Sequence, residues 1–380
     1  MRSTRFALLL FLLITCGAAG AQDQQYRVEY RAYAKAVEEG DAAAAQKHAH
    51  AAWLSSEEKL GDDRLTAILA FNYGQQALFT DSENAKVAFR RASELQAAGV
   101  AELPSKELDL YVAYTELVTG KNSGRNAREL REALDEIDAE DLDLGSDFAV
   151  MRLALATFDF IGKRYREAIE SAIKAETAIR ATAPNDYRSL ATAMIVKGAA
   201  HVIPHPRQVE QILDAHIEFD RARRLFPPQE SIDEFDFLLA QALAWNAAAD
   251  AALKNLGKSE LPNHVDRHRQ AASGGKRPPL FAKKDEPEGG CGEVQWQTRQ
   301  PPKYPRDALH SGYIGAVLVG FDLGDDLEPR NIKILAEVPA RRFSDAALEA
   351  VEDWRADSLP NDHPACRRNR IANIKFVIEN

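Results

Sequence analysis

From Tyr26 to about Gly257, apolar residues recur every three or four positions between charged ones, the spacing of amphipathic helices. Turn-forming residues divide the run into pairs: Tyr26 to Glu39 with Asp41 to Leu60 around Gly40, Arg64 to Phe79 with Asn84 to Ala97, and Ser105 to Val118 with Asn126 to Ile137. Within Asp147 to Ile179, Leu153, Leu155, Ala156 and Phe160 share one face, Gly162-Lys163-Arg164-Tyr165 makes a turn, and Ala168, Ile169, Ala172 and Ala175 line the next helix. Alanines at these positions let two helices approach closely. Tyr187 to Val202 and Gln208 to Leu225 join through Pro204 and Pro206, and Glu230 to Leu256 closes the series. The pattern predicts about five helical hairpins and a last helix, an array whose stacking creates an extended surface suited to binding proteins.

Asn263 to Gly290 changes character. Gly274-Gly275, Pro278-Pro279, Lys283-Lys284 and Gly289-Gly290 interrupt it and large apolar residues are few, so it reads as a flexible linker. Beyond Pro301 the period drops towards two. Ala316 to Leu323 reads as a strand, Gly324-Asp325-Asp326 as a turn, and Asn331 to Glu337 as the second strand of a hairpin. Phe343 to Trp354 is an amphipathic helix with Ser344 and Asp345 at its start, and Ile371 to Ile378 alternates as a closing strand. The economical arrangement is one main helix on a three-stranded antiparallel sheet.

The first residues carry an address. Arg2 and Arg5 precede the apolar run Phe6 to Ile14, which leads into Gly17-Ala18-Ala19-Gly20-Ala21. That order is a secretory signal peptide, with cleavage expected between Ala21 and Gln22. A retained anchor, or lipidation at Cys16 in Leu13-Ile14-Thr15-Cys16, are the alternatives. The chain of 380 residues is therefore read as an α+β multidomain protein: signal peptide over 1–21, helical array over 22–262, linker over 263–290 and a small α/β domain over 291–380.

Composition narrows the function. A net charge of −10 argues against a nucleic-acid partner, since phosphate-backbone binders cluster excess Lys and Arg. The three cysteines are too few for a four-thiolate zinc site. Export removes Cys16 and leaves Cys291 and Cys366 in an oxidising compartment, where pairing is the default for thiols that can meet. One disulfide is expected; two separate thiols with Cys366 buried are the alternative. The sequence contains no Gly-rich phosphate loop, no Gly-x-Ser-x-Gly elbow and no His-Glu-x-x-His. It is read as a non-enzyme without cofactor or metal.

Two resemblances sharpen this reading. The Asp147 to Ile179 unit resembles a tetratricopeptide repeat, whose units are about 34 residues long. The C-terminal residues resemble the C-terminal domain of TonB-type energy transducers. The carriers are Pro302-Lys303-Tyr304-Pro305 with Ala308 and Gly312, then Gly315-x-Val317-x-Val319-x-Phe321, Phe343-Ser344-Asp345-Ala346-Ala347-Leu348 with Val351 and Trp354, and a final strand with Phe376. The resemblance implies a periplasmic domain that meets outer-membrane TonB-dependent receptors, or other envelope proteins, by pairing its sheet edge with an extended segment of the partner. Asn369 to Ile378 matches that edge. The implied partner-binding residues are Tyr304, Pro305, Asn369, Arg370, Ile371, Asn373, Ile374 and Phe376, with Arg367, Arg368 and Arg370 supplying positive charge. Phe6 to Ile14 has no His or carboxylate that could couple to proton flow, and a long Pro-rich rod is absent. The reading is therefore a periplasmic adaptor, with a membrane-anchored energy transducer as the alternative. Membrane association follows only if the N-terminal segment is retained or lipidated.

Overall fold

The computed structural model describes residues 25–120, 123–139, 145–255, 279–281, 287 and 290–378. The expected signal segment, the expected Ala21–Gln22 cleavage point and most of the expected 263–290 linker lie outside the described residues. The chain forms two compact units, Met1–Gly162 and Lys163–Asn380.

The first unit holds α1 (Gln25–Glu39), α2 (Ala42–Leu60), α3 (Arg64–Ala77), α4 (Ser82–Ala97), α5 (Ser105–Thr119), α6 (Ser123–Ala139) and α7 (Gly145–Ile161). Each packs against the next. Asp41, Asp63 and Asp81 accept backbone N–H groups as N-caps of α2, α3 and α4, each worth about 1 kcal/mol. Between the helices lie fully buried alanines such as Ala52, Ala67, Ala70, Ala85 and Ala88. Gly74 on α3 admits the ring of Phe89 on α4, where a Cβ would come within 2.6 Å of Phe89 Cε1.

The second unit begins with α8 (Tyr165–Thr182), α9 (Tyr187–Val202), α10 (Val209–Arg223) and α11 (Phe237–Asn255). The division of compact units therefore falls near Gly162, inside the segment that best resembles a tetratricopeptide unit, and not at the 263–290 segment. The last helix starts at Phe237, later than the expected Glu230. Pro227 and Pro228 stop the preceding chain, and the Asp236 carboxylate caps the N–H groups of Leu238 and Leu239.

The C-terminal elements follow: β1 (Gln295–Thr298), α12 (Arg306–His310), β2 (Gly315–Leu323), β3 (Pro329–Val338), α13 (Ser344–Glu352), β4 (Arg355–Ser358) and β5 (Arg370–Phe376). The main sheet is antiparallel in the order β3-β2-β5, and β1 pairs with β4 in a separate two-stranded sheet. This is the expected helix on a three-stranded sheet, with one small sheet added. Phe343, Ala347 and Val351 of the α13 region pack with Val317, Val319, Phe321, Ile374 and Phe376 into one core.

The other face of the sheet is covered as well. α11 packs against β2, β3 and β5. Its sequence explains why: Leu239 to Leu253 is buried on all sides, as a helix between two layers must be. β2 is buried along almost its whole length for the same reason.

Candidate functional site

β3 and β5 are the two edges of the main sheet. They differ in regularity. β5 pairs with β2 in unbroken register from Gly315 opposite Phe376 to Phe321 opposite Arg370. β3 shifts register against β2 between Leu318 and Val319 and again between Gly320 and Asp322, and Asn331 within it has a left-handed φ of 53°. Bulges twist an edge and spoil it as a template for another strand, whereas a regular edge offers an evenly spaced row of N–H and C=O groups. Among the described residues, no backbone group outside β2 bonds to the backbone of residues 371–376.

The predicted site residues fall into three positions. Ile374 and Phe376 are buried in the core beneath α13, so at the edge they present backbone only. Phe376 stacks on Phe343 with centroids 4.4 Å apart, and Tyr304 stands edge-on to both rings. The Tyr304 hydroxyl donates to the Tyr313 carbonyl, and burial pushes its pKa up. Tyr304 is thus a strut of the core, and Pro305 precedes α12 as its half-buried N-cap. Asn369, at φ 53°, anchors the start of β5: its N–H donates to Asp322 Oδ1 at 2.9 Å and its Oδ1 accepts the Ile232 N–H at 3.0 Å.

Arg370, Ile371 and Asn373 are half-buried, opposite Phe321, Gly320 and Leu318. Asn373 Oδ1 is buried without a hydrogen-bond partner among the described residues. Of the flanking arginines, Arg367 is already engaged by Asp325 at 2.6 Å and Asp362 at 2.5 Å, while Arg368 is exposed. The exposed side chain of the edge is Lys375, which had no place in the sequence-derived site.

Lys375 belongs to a set of contacts that join the sheet to the preceding helices. Its Nζ lies 3.3 Å from Asp250 on α11, and at the opposite edge Lys333 pairs with Asp233. Burial works to raise the Asp250 pKa, but the Lys254 hydrogen bond and the Lys375 charge hold it below the usual carboxylate range. Between the two clamps Ile232 rests on Gly320. Gln229 donates its N–H to the Leu280 carbonyl at 2.8 Å, so part of the predicted linker is held against the segment before α11.

Cys291 and Cys366 are joined, with Cα atoms 5.2 Å apart. The bond ties the chain ahead of β1 to the turn ahead of β5. Among the described residues no group of three His, Cys, Asp or Glu could hold a metal ion, and no helix is long and apolar enough to cross a membrane.

Residues 300–378 match the family described as Gram-negative bacterial TonB protein C-terminal. The matched span runs from just before Tyr304 through the last residues after β5, which is the whole helix-on-sheet module with its regular edge. No curated protein matches the chain.

Proposed function

We propose that the protein is an envelope adaptor that binds an extended segment of a partner by strand addition to β5, while the helical array offers a second protein-binding surface. The observation that supports this most is the contrast between edges: within a TonB C-terminal-type domain, β5 is regular and open among the described residues and β3 is bulged. An incoming strand gains a ladder of backbone hydrogen bonds, and the half-buried Ile371 and Asn373 lie beside the path it would take. Partners of this chemistry include outer-membrane receptors with an extended periplasmic segment. The signal peptide expected at 1–21 and the joined cysteines support an oxidising compartment outside the cytoplasm.

A photo-crosslinking residue tests the edge directly. At Lys375, which is exposed beside the edge, it should capture the partner in cells; at Ile374, whose side chain is in the core, it should not. Equal capture at both positions, or none at Lys375, rejects the proposal. The energy-transducer alternative uses the same edge and differs in the N-terminal segment. The mass of the mature N-terminus separates the two: a start at Gln22 supports the adaptor, and an intact or lipidated start supports an anchored protein.

A further inference from the structure

A cleft of about 420 Å³ opens at the foot of the sheet, where Ser311 to Ile314 lead into β2. Its walls are Tyr165, Ile203, Pro204, Trp245, Tyr313 and Pro339. A separate pocket of about 30 Å³ shares Pro206, Arg207, Gly312 and Ile314 with its lining and is also lined by Val377 and Ile378, the two residues that follow β5. The cleft is therefore separated from the end of the β5 edge only by this small pocket. Most of its described lining residues are apolar or aromatic, with Ser311 and backbone groups adding polar surface, and Arg207 is the one charged residue among the described residues of either lining. Arg207 is exposed and makes no ion pair with any described residue.

A cavity of this size, with Ile203, Pro204, Trp245 and Pro339 in its walls and one charged anchor among the described residues, has room for a bulky side chain. Continuity selects the occupant. A strand paired along β5 that continues past Phe376 passes Val377 and Ile378 and comes up to Arg207, Gly312 and Ile314, which line both the small pocket and the cleft. Charge selects its chemistry, because an unpaired guanidinium beside apolar walls favours a carboxylate. We propose that the cleft reads the residues flanking the paired stretch of the partner peptide, accepting an aromatic or large aliphatic side chain next to an Asp or Glu. This rests on the strand-addition reading of β5 and adds to it the source of selectivity, since backbone pairing alone is indifferent to sequence.

The test uses the full chain and a phage-displayed library of random peptides about twelve residues long. Enriched peptides should join an alternating apolar stretch to an aromatic residue beside Asp or Glu at one end. Arg207→Glu should weaken such a synthetic peptide about five- to tenfold, and changing the peptide's acid to Lys should restore binding to that variant. Ser311→Trp, which narrows the cleft from an exposed position, should remove the preference for the aromatic residue. N-methylation of alternate peptide bonds should abolish binding to every form of the protein, because it removes the edge hydrogen bonds without altering the protein. Binding that needs unmethylated peptide but is indifferent to Arg207→Glu and to the flanking aromatic overturns the cleft proposal and leaves the edge reading intact. Indifference to N-methylation, or no enrichment at all, overturns both.

Discussion

Ile232 lies directly on Gly320: a Cβ built on Gly320 would sit 3.2 Å from Ile232 Cγ2 and 3.1 Å from Leu335 Cδ1. The middle of β2 is thus bare of side chain where the segment before α11 crosses it, and a larger residue there must push the two layers apart. Gly320→Val should destabilise the second unit by about 1–3 kcal/mol through overpacking, read as a lower midpoint in urea. The double variant Gly320→Val with Ile232→Ala should recover part of that loss, because the added methyls occupy the space vacated by the isoleucine. Strictly additive effects of the two changes would show that the residues do not share this contact.

Glu337 makes a second point about how the module is held. Its carboxylate accepts the N–H groups of Arg342 and Phe343, the N–H of Ser344 at 3.3 Å and the Ser344 hydroxyl at 2.8 Å. A residue at the end of β3 thereby caps α13 where Phe343, the local N-cap, offers no side-chain bond. Burial works to raise the Glu337 pKa, but these donors prevail and hold it below the ordinary glutamate value of 4.5. A lowered pKa in the folded state gives stability that is complete above the unfolded value and disappears as pH falls through the folded one. Glu337→Gln should cost about 1–2 kcal/mol at pH 7, and the gap to the parent should close in acid below the folded pKa. A gap that stays constant from pH 7 to pH 3 would rule out the charged cap.

These two contacts also mark where sequence reading succeeds and where it stops. The strands and helices of the module were legible because their periodicity is local: Val317, Val319 and Phe321 alternate, and Phe343, Ala347 and Val351 fall on one helical face. The choice of β5 as an edge was legible only through resemblance. The docking of α11 on the sheet was not, because Gly274-Gly275 and Pro278-Pro279 spoke for separation and nothing local contradicts them. Two signals did exist. Leu239 to Leu253 has no polar face, and Ala316-Val317-Leu318-Val319 is apolar without alternation, so each announces burial on two sides. At the site, the resemblance implied Ile374 and Phe376, yet large apolar residues in an alternating strand mark the core face, and Lys375 between them is the exposed one.

The cysteine pair makes a prediction about the whole chain. Cys291 and Cys366 close a loop of 75 residues that contains β1 to β4 and α13. A cross-link of that span removes conformational freedom from the unfolded chain and is worth roughly 2–4 kcal/mol. Dithiothreitol, or Cys291→Ser with Cys366→Ser, should lower the melting temperature of the second unit and leave α1 to α7 unaffected. The assay is differential scanning calorimetry of the full chain, in which reduction should move the transition of the second unit and leave that of α1 to α7 in place. Identical melting with and without reductant would mean that the bond contributes nothing to stability.

The covered second face leads to the last prediction, which concerns what counts as a domain. A fragment starting at Gly290 contains every strand of the module but not α11 or Ile232. It leaves the Ala316, Leu318 and Gly320 face of β2 open to water, although all three are buried in the intact unit. Exposing an apolar sheet face costs about 25 cal/mol per Å², and such a face invites a second copy to cover it. The fragment from Lys163 to Asn380 should therefore melt in one cooperative transition as a monomer, while the fragment from Gly290 should be less stable by at least about 3 kcal/mol or self-associate. Sedimentation velocity and chemical denaturation on both fragments decide it. A monomeric Gly290 fragment as stable as the longer one would show that α11 merely rests on the sheet. Otherwise β5 is a strand backed by the array's own last helix, to which Lys375 is tied through Asp250.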